Sequence, residues 1–213
     1  PYMEGTKLGN YFKSVHYADA ALGEFLTALE EEGLMENTVI VLYGDHDARL
    51  PKADFSRLFN YDKETDGLIS EDDPNFVKVD SYQYELLRKV PFLIYSKETK
   101  ESLHKEITTV MGMYDVMPTL GNMFGFYNKY QLGKDIFNTT DDNIVVFPNG
   151  NWMTNKVYYN TQKGEYLTLK EEEVISDEYI SNCQKYAEDL LNVSNSLIVF
   201  DLIKKEEDRI NSE

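Results

Sequence analysis

The chain has 213 residues, which fits one domain with a small appended subdomain and is long enough to bury a full hydrophobic core. Its 38 acidic residues against 21 lysines and arginines give a formal net charge of −17, which argues against nucleic-acid binding and against unaided docking on an anionic membrane. A single cysteine excludes an intrachain disulfide, and no apolar run of about 18 residues predicts a membrane-spanning helix.

The first half of the chain has the pattern of an α/β fold. Apolar residues three and four apart over residues 8–32 predict an amphipathic helix that ends at Gly33. The apolar runs at 39–43 and 90–95 predict two neighbouring strands that are buried on both faces of a largely parallel sheet. Residues 52–89 between them are polar and rich in tyrosine, which predicts a long excursion lining a site.

The second half changes character after Gly133. A helix over 100–110 and another that begins at Asp115 and stops near Gly125 are expected to complete the first domain. Beyond them, short β-rich runs separated by turn residues predict an antiparallel meander over 144–169, and a long helix capped by Asp177 follows. We therefore predict two domains, at residues 1–133 and 134–213.

Gly44, Asp45 and His46 directly follow the first predicted strand. Open α/β sheets place active sites at the carboxyl ends of their strands. A carboxylate and a neutral imidazole together suit zinc, manganese or iron. Both side chains can reach one ion only where the backbone has left the strand pleat, and Gly44 is expected to make that turn easy. Taken alone, an Asp-His dipeptide is more often a hydrogen-bonding pair in a loop.

Residues 62–73 follow the spacing of an EF-hand calcium loop, with acidic side chains at the first, third and fifth positions and Gly67 at the sixth. The twelfth position holds Asp73, which is shorter than the usual glutamate clamp, and Pro74 disfavours an exiting helix. A solvated acidic turn is the better interpretation, with calcium binding as the alternative.

Several short motifs follow one another along the chain: YFKSVHYAD at 11–19, GDH at 44–46, VPFLI at 90–94, YDVMPTL at 114–120 and FPNGNW at 147–152. The first four, in this order, resemble the second half of the catalytic domain of the sulfatase and alkaline phosphatase superfamily. The fifth, with the polar helix after it, resembles the phosphoglycerol transferase branch that includes the lipoteichoic acid synthases. The resemblance covers nearly the whole chain.

This resemblance implies the C-terminal half of an alkaline phosphatase-like α/β/α sandwich, with a small antiparallel α+β subdomain. It also implies an enzyme on the extracellular face of a bacterial membrane that moves glycerophosphate from phosphatidylglycerol to a lipoteichoic acid-type polymer. The chain begins at Pro1 and not at a methionine, so we expect the membrane helices and a threonine nucleophile to lie upstream. The isolated chain is then expected to be inactive.

In the resembled enzymes a divalent ion is held by an Asp-His pair and by upstream residues, and Asp45 and His46 match the pair. The implied metal is manganese, which lowers the pKa of the nucleophile and stabilises charge on the phosphoryl oxygens. Asp47 and Arg49 depart from the family pattern. Asp47 is a candidate to orient His46 and Arg49 to meet an anionic substrate, although an ion pair between the two is the simpler interpretation.

Two other functions stay open. A hydrolase of sulfate or phosphate esters would use the same fold and metal, and the residue type of the upstream nucleophile would distinguish it from a transferase. A non-catalytic fragment that binds cell-surface polymer also fits, because this chain contributes only part of the implied metal site and no nucleophile.

Overall fold

The computed structural model describes residues 3–97, 104, 106–140, 143–170 and 173–212. The chain forms two compact units, Pro1–Lys105 and Glu106–Glu213. The domain boundary predicted after residue 133 stays a prediction, since a compact unit and an evolutionary domain are different properties.

The first unit mixes helices with two small sheets. Its elements are α1 (Lys7–Glu31), β1 (Val39–Tyr43), α2 (Lys52–Phe59), β2 (Tyr61–Asp62), β3 (Gly67–Leu68), α3 (Ser81–Leu86) and β4 (Phe92–Ser96). The long excursion predicted for 52–89 therefore contains two short helices and a hairpin. An Asp80–Gln83 capping box begins α3.

Helix α1 forms where its apolar periodicity predicts it. Thr6 caps its first turn by accepting a hydrogen bond from the backbone of Gly9 at 3.0 Å. After the helix ends, Gly33 adopts a left-handed backbone with φ +68°, a conformation that costs glycine nothing.

Strands β1 and β4 are neighbours, as predicted, but they run antiparallel, so the predicted parallel direction is wrong. Val39 lies opposite Ser96, and Tyr43 lies opposite Phe92. Apolar runs indicate that strands are covered, but they do not encode the direction of the partner strand. The connection between β1 and β4 is long enough for either direction.

The expected burial of both strands on both faces is also wrong for the part of the chain that the structure describes. Leu93 and Tyr95 of β4 are 58% and 51% exposed, and Val39 and Tyr43 at the ends of β1 are 42% and 49% exposed. Helix α1 behaves in the same way, because Leu8 is its one buried residue. The core of this unit is instead a small cluster around the end of the loop after β1: Leu8, Leu50, Phe55 and Val79.

The second unit contains the predicted antiparallel meander. Its elements are α4 (Val116–Phe124), β5 (Val145–Val146), β6 (Trp152–Met153), β7 (Val157–Asn160), β8 (Glu165–Thr168), α5 (Asp177–Val199) and α6 (Leu202–Asn211). The four strands pair in sequence order, and every pair is antiparallel. Trp152, fully buried, packs with Val157 and Ala187 at the centre of the core between the meander and α5. The predicted mixed fold class, with a small antiparallel sheet, is confirmed.

Three details of the second half differ from prediction. Residues 100–103 and 105 of the helix expected over 100–110 lie outside the described residues, and residues 106–110 are not helical. Ser176, one residue before Asp177, caps α5 by accepting from the backbone of Tyr179. The last helix is interrupted at Asp201, whose backbone is left-handed with φ 48°.

Asp115 precedes α4 as expected, but its side chain does not cap that helix. The carboxylate instead accepts hydrogen bonds from the backbone amides of Gly112 and Lys134, each at 2.8 Å. Asp115 therefore ties together two loops that flank α4. Among the described residues, no helix combines the length and apolarity needed to cross a bilayer.

Candidate metal centre

The structure brings the Asp45 and His46 side chains together just beyond the end of β1. The His46 Nε2 atom lies 3.7 Å from an Asp45 carboxylate oxygen, and the two side chains are 52% and 86% exposed. The backbone has left the strand pleat at this point, so consecutive residues do not point to opposite faces. Both groups face solvent and are accessible to an ion or a substrate.

The His46 ring is oriented by the backbone of the next residue. Its Nδ1 atom lies 2.6 Å from the carbonyl oxygen of Asp47. A carbonyl oxygen can only accept a hydrogen bond, so Nδ1 carries the proton and Nε2 keeps its lone pair in the neutral ring. A histidine that donates one ring N–H to a carbonyl and keeps the other nitrogen free has the arrangement of a metal ligand.

The donor set fits a divalent ion. With Nδ1 protonated, the Nε2 lone pair of His46 lies close to a carboxylate oxygen of Asp45. Both atoms are electron-pair donors, and a cation between them would relieve their mutual repulsion. Metal bonds to imidazole nitrogen and carboxylate oxygen are about 2.0 to 2.2 Å long. A separation of 3.7 Å is therefore short enough for one shared ion.

Gly44 is required here for a different reason from the one that its turn position predicted. Its backbone is not left-handed. A Cβ atom at this position would lie 2.7 Å from the Cβ of Val90, so glycine permits close contact between the loop and the chain entering β4. The Gly44 amide also donates to the carbonyl of Pro91 at 3.1 Å.

The loop that carries the pair is also held at its middle and at its far end. The Asp47 carboxylate accepts from Arg88 Nε at 3.0 Å, and the carbonyl of the buried Leu50 accepts from the Tyr84 hydroxyl at 3.2 Å. Because β1 and β4 are antiparallel, the residues that follow β1 lie beside those that precede β4. The antiparallel register thus places segment 84–91 against the loop.

The predicted ion pair between Asp47 and Arg49 is wrong, because the Asp47 carboxylate is paired with Arg88. Arg49 is exposed and has a left-handed backbone with φ 49°. The Asp47 group that contacts the His46 ring is its carbonyl and not its carboxylate, and a role for Asp47 in orienting His46 stays a prediction. A role for Arg49 toward an anionic substrate stays a prediction.

Arg88 links two acidic residues. Its Nη1 atom donates to the buried carboxylate of Glu85 at 3.1 Å, while Nε donates to Asp47. Burial alone would lower the pKa of Arg88, but the charges of Glu85 and Asp47 outweigh it and raise that pKa. The guanidinium therefore stays charged at all physiological pH values.

No group of three or more His, Cys, Asp or Glu side chains could hold a metal ion within the described ranges. The acidic segment 62–73 does not form a helix–loop–helix. It contains the β2–β3 hairpin, and the two carboxylate oxygens of Asp62 accept from the Glu64 amide at 2.9 Å and the Thr65 hydroxyl at 2.7 Å. This geometry supports the interpretation as an acidic turn.

Two cavities lie in different units. One of about 210 Å³ adjoins the candidate site; its lining is mainly apolar, and His46 and Lys89 contribute nitrogen groups. A larger one, of about 390 Å³, lies in the second unit beside α5, and Glu188 is the one ionisable residue in its lining. Metal chemistry favours the smaller cavity, because it alone combines an imidazole with a neighbouring carboxylate.

Sequence patterns missed three residues that hold the loop or its arginine: Tyr84, Glu85 and Arg88. Residues 52–89 were assigned to a loop excursion, although the Asp80–Gln83 capping box was readable as a helix start. Their proximity to His46 follows from the antiparallel register, which no pattern within either strand specifies.

Comparisons with known proteins show the family of the chain. The family model described as Sulfatase matches residues 3–126, which is more than half of the chain. Lipoteichoic acid synthase 1 of Bacillus subtilis is 29% identical over 203 residues, covering 92% of this chain and 28% of the relative. Lipoteichoic acid synthase 2 of the same species is 27% identical over 192 residues, covering 86% and 27%. Lipoteichoic acid synthase of Staphylococcus aureus is 26% identical over 198 residues, covering 91% and 28%. The chain thus spans less than a third of the length of these relatives.

Proposed function

Because the chain belongs to the sulfatase family, we propose that it is the C-terminal part of a metal-dependent phosphoglycerol transferase. The enzyme moves glycerophosphate from phosphatidylglycerol to a lipoteichoic acid-type polymer on the extracellular face of a bacterial membrane. The relatives' name, lipoteichoic acid synthase, supports the polymer product. The net charge of −17 is consistent with a partner other than nucleic acid.

The observation that carries the proposal is the convergence of Asp45 and His46 at the end of β1, with 3.7 Å between the ligand atoms. These two residues hold one side of a divalent ion, proposed to be manganese. When bound, that ion supplies charge stabilisation to the phosphoryl oxygens. The carbonyl of Asp47 keeps the Nε2 atom of His46 free for this role.

The remaining ligands and the nucleophile are proposed to come from the rest of the catalytic domain. Two protein ligands alone bind first-row ions weakly, and manganese is the weakest binder of that series. The chain by itself is therefore expected to show no phosphoglycerol transfer and little ester hydrolysis, even with added manganese.

A hydrolase is the second candidate, and the description of the matching family model, Sulfatase, favours it. An ion held by the same Asp45–His46 pair would stabilise charge on the sulfate or phosphate group while the alcohol leaves. A third candidate, binding of cell-surface polymer without turnover, is favoured by the lack of a third metal-ligating side chain in the described part of the chain.

These candidates differ in their products. The full-length protein should be incubated in vesicles containing phosphatidylglycerol with manganese titrated, and both polymer and free ester products should be measured. Polymer growth that is lost in His46→Ala and retained in His16→Ala, an exposed histidine on α1, is the expected result. Release of free glycerophosphate and diacylglycerol from phosphatidylglycerol without polymer growth would establish the hydrolase, and retention of added polymer without turnover would establish the binding fragment. Near-wild-type polymer from His46→Ala at low manganese would contradict the metal assignment.

A further inference from the structure

The loop that carries Asp45 and His46 is attached to one neighbouring segment at regular intervals. Loop residues 44, 47 and 50 bond to residues 91, 88 and 84, so every third loop residue meets the chain that precedes β4. The outer two attachments use backbone groups of the loop. The central one, between Asp47 and Arg88, joins two charged side chains and is the one that a substitution can remove cleanly.

Arg88 makes this central contact from a fixed position. Its Nη1 atom is bonded to Glu85, whose side chain is only 6% exposed, while its Nε atom is bonded to Asp47, whose side chain is 20% exposed. A planar guanidinium with both sides engaged by carboxylates has little freedom to turn. Since both carboxylates already use it, Arg88 is better placed to hold the loop than to bind an anionic substrate.

Asp47 connects Arg88 to the His46 ring. Its carboxylate is held by Arg88, and its carbonyl, in the same residue, accepts the proton on His46 Nδ1 at 2.6 Å. Free histidine in water prefers to carry its proton on Nε2, the atom that faces Asp45 here. The tautomer that leaves Nε2 open therefore depends on the position of the Asp47 carbonyl.

We propose that Arg88 is a positioning residue, which holds Asp47 so that its carbonyl fixes the Nδ1–H tautomer of His46 and directs Nε2 toward Asp45. The value of this tautomer for binding a metal ion rests on the proposed function. The tautomer itself does not, and it can be measured in this chain without metal or substrate.

The test is long-range ¹H–¹⁵N NMR of the three histidine rings in the ¹⁵N-labelled 213-residue chain, at a pH where His46 is neutral. The His46 signals are assigned with His46→Gln. Arg88→Gln removes the guanidinium, and Asp47→Ala removes the carboxylate from the other side while keeping the carbonyl. Arg57→Gln is the matched control, because Arg57 forms an ion pair with Asp54, a residue of its own helix α2.

In the wild-type chain, Nδ1 of His46 should carry the proton and Nε2 should have the shift of a bare nitrogen. In Arg88→Gln and in Asp47→Ala, the ring should shift toward the Nε2–H tautomer, whereas Arg57→Gln should leave it unchanged. Arg88→Lys should restore the wild-type tautomer only in part, because an ammonium group lacks the two-sided fork.

A wild-type His46 that is mainly Nε2–H would overturn the proposal at its root. A folded Arg88→Gln chain that keeps the wild-type tautomer would overturn the role of Arg88, and Asp47→Ala decides the same question if Arg88→Gln does not fold. In the full-length protein, Arg88→Gln should weaken manganese binding by on the order of 10-fold, as loss of a partner that orients a metal ligand does. A changed tautomer with unchanged manganese affinity would leave the positioning role intact and contradict the proposed function.

Discussion

Two acidic loops of the first unit make opposite use of their carboxylates. In the β2–β3 turn, the Asp62 carboxylate accepts hydrogen bonds from the Glu64 amide and the Thr65 hydroxyl. The carboxylate therefore stabilises the turn that contains it. In the loop after β1, the backbone and Asp47 hold the loop in place, and the Asp45 carboxylate, 86% exposed, faces the His46 ring.

The difference shows what separates an acidic turn from a candidate ligand site. A carboxylate whose oxygens already accept hydrogen bonds from its own loop has little capacity left to bind an ion, even when the spacing matches a known metal-binding pattern. A carboxylate becomes available when other contacts hold the loop. Residues distant in sequence, Tyr84, Arg88 and Pro91, provide that hold here.

The largest expected effect is the loss of activity on substitution of Asp45, in the loop after β1. In the full-length protein, Asp45→Ala should reduce polymer synthesis by at least about 100-fold, because even residues that merely orient metal ligands change activity or affinity by 10- to 100-fold. The thermal unfolding temperature should change little, because Asp45 lies on the surface. Polymer yield at equal expression and calorimetry would measure both. A large drop in unfolding temperature would return Asp45 to a structural role.

Asp115 extends the comparison to a buried carboxylate. Asp115→Ala should destabilise the chain by about 2 to 3 kcal/mol, because the amides of Gly112 and Lys134 would lose their acceptor in a buried position. Urea unfolding followed by circular dichroism would measure the change. Asp115→Asn should recover part of the loss, since the amide oxygen still accepts one of the two hydrogen bonds. Equal stability of all three chains would contradict this assignment.

Gly44→Ala tests how the candidate loop is held against β4. The added methyl group would overlap the Val90 side chain at 2.7 Å, which should cost about 1 to 2 kcal/mol and displace the loop. The double variant Gly44→Ala with Val90→Gly should recover part of the lost stability, because it removes both Val90 side-chain atoms that would collide, Cβ at 2.7 Å and Cγ1 at 2.9 Å. Chemical unfolding of the single and double variants would measure both. A single variant as stable as wild type would show that the close contact does not constrain the loop.

The pH dependence of the two structural carboxylates should have opposite signs. Hydrogen bonds from Thr65 and the Glu64 amide lower the pKa of Asp62 below 3.8, so its contribution to stability is present above that pH and is lost as pH falls through the folded-state pKa. Burial raises the pKa of Asp115 above 3.8, so the folded state holds its proton more tightly and stability declines as pH rises from 3.8 through the raised pKa. Carboxyl ¹³C NMR titration would measure both midpoints, and equal midpoints would contradict the assignments.

The smallest expected effect is that of Asp62→Ala. Its hydrogen bonds lie in an exposed turn, so stability should change only slightly, and polymer synthesis by the full-length protein should match wild type at every manganese concentration. Calcium titration of the isolated chain gives the complementary measurement. Saturable calcium binding that is lost in Asp62→Ala would show that residues 62–73 form a calcium site and not merely a solvated acidic turn.

Sequence patterns specified the local parts of this structure well. The helix from Lys7 to Glu31, the glycine stop at Gly33 and the four-stranded meander all follow from periodicity and turn residues that act over a few positions. The Asp45–His46 pair could be named as a candidate because the family resemblance added to its position after an apolar strand.

Properties that depend on distant segments were not predictable in this way. The direction of β4 relative to β1 and the exposure of Leu93 and Tyr95 depend on which segments lie beside the strands, and no single strand encodes them. The pairing of Asp47 with Arg88 and not with Arg49 has the same cause, since the partner is 41 residues away in sequence.

Direct measurement of manganese binding tests the central claim, that Asp45 and His46 hold a catalytic ion. Electron paramagnetic resonance should be used to titrate manganese into the full-length protein, His46→Ala and Asp62→Ala. The expected result is one tight site in wild type and in Asp62→Ala, with affinity lowered by at least about 100-fold in His46→Ala. Equal affinity in wild type and His46→Ala would contradict the account and return the pair to a structural role at the end of β1.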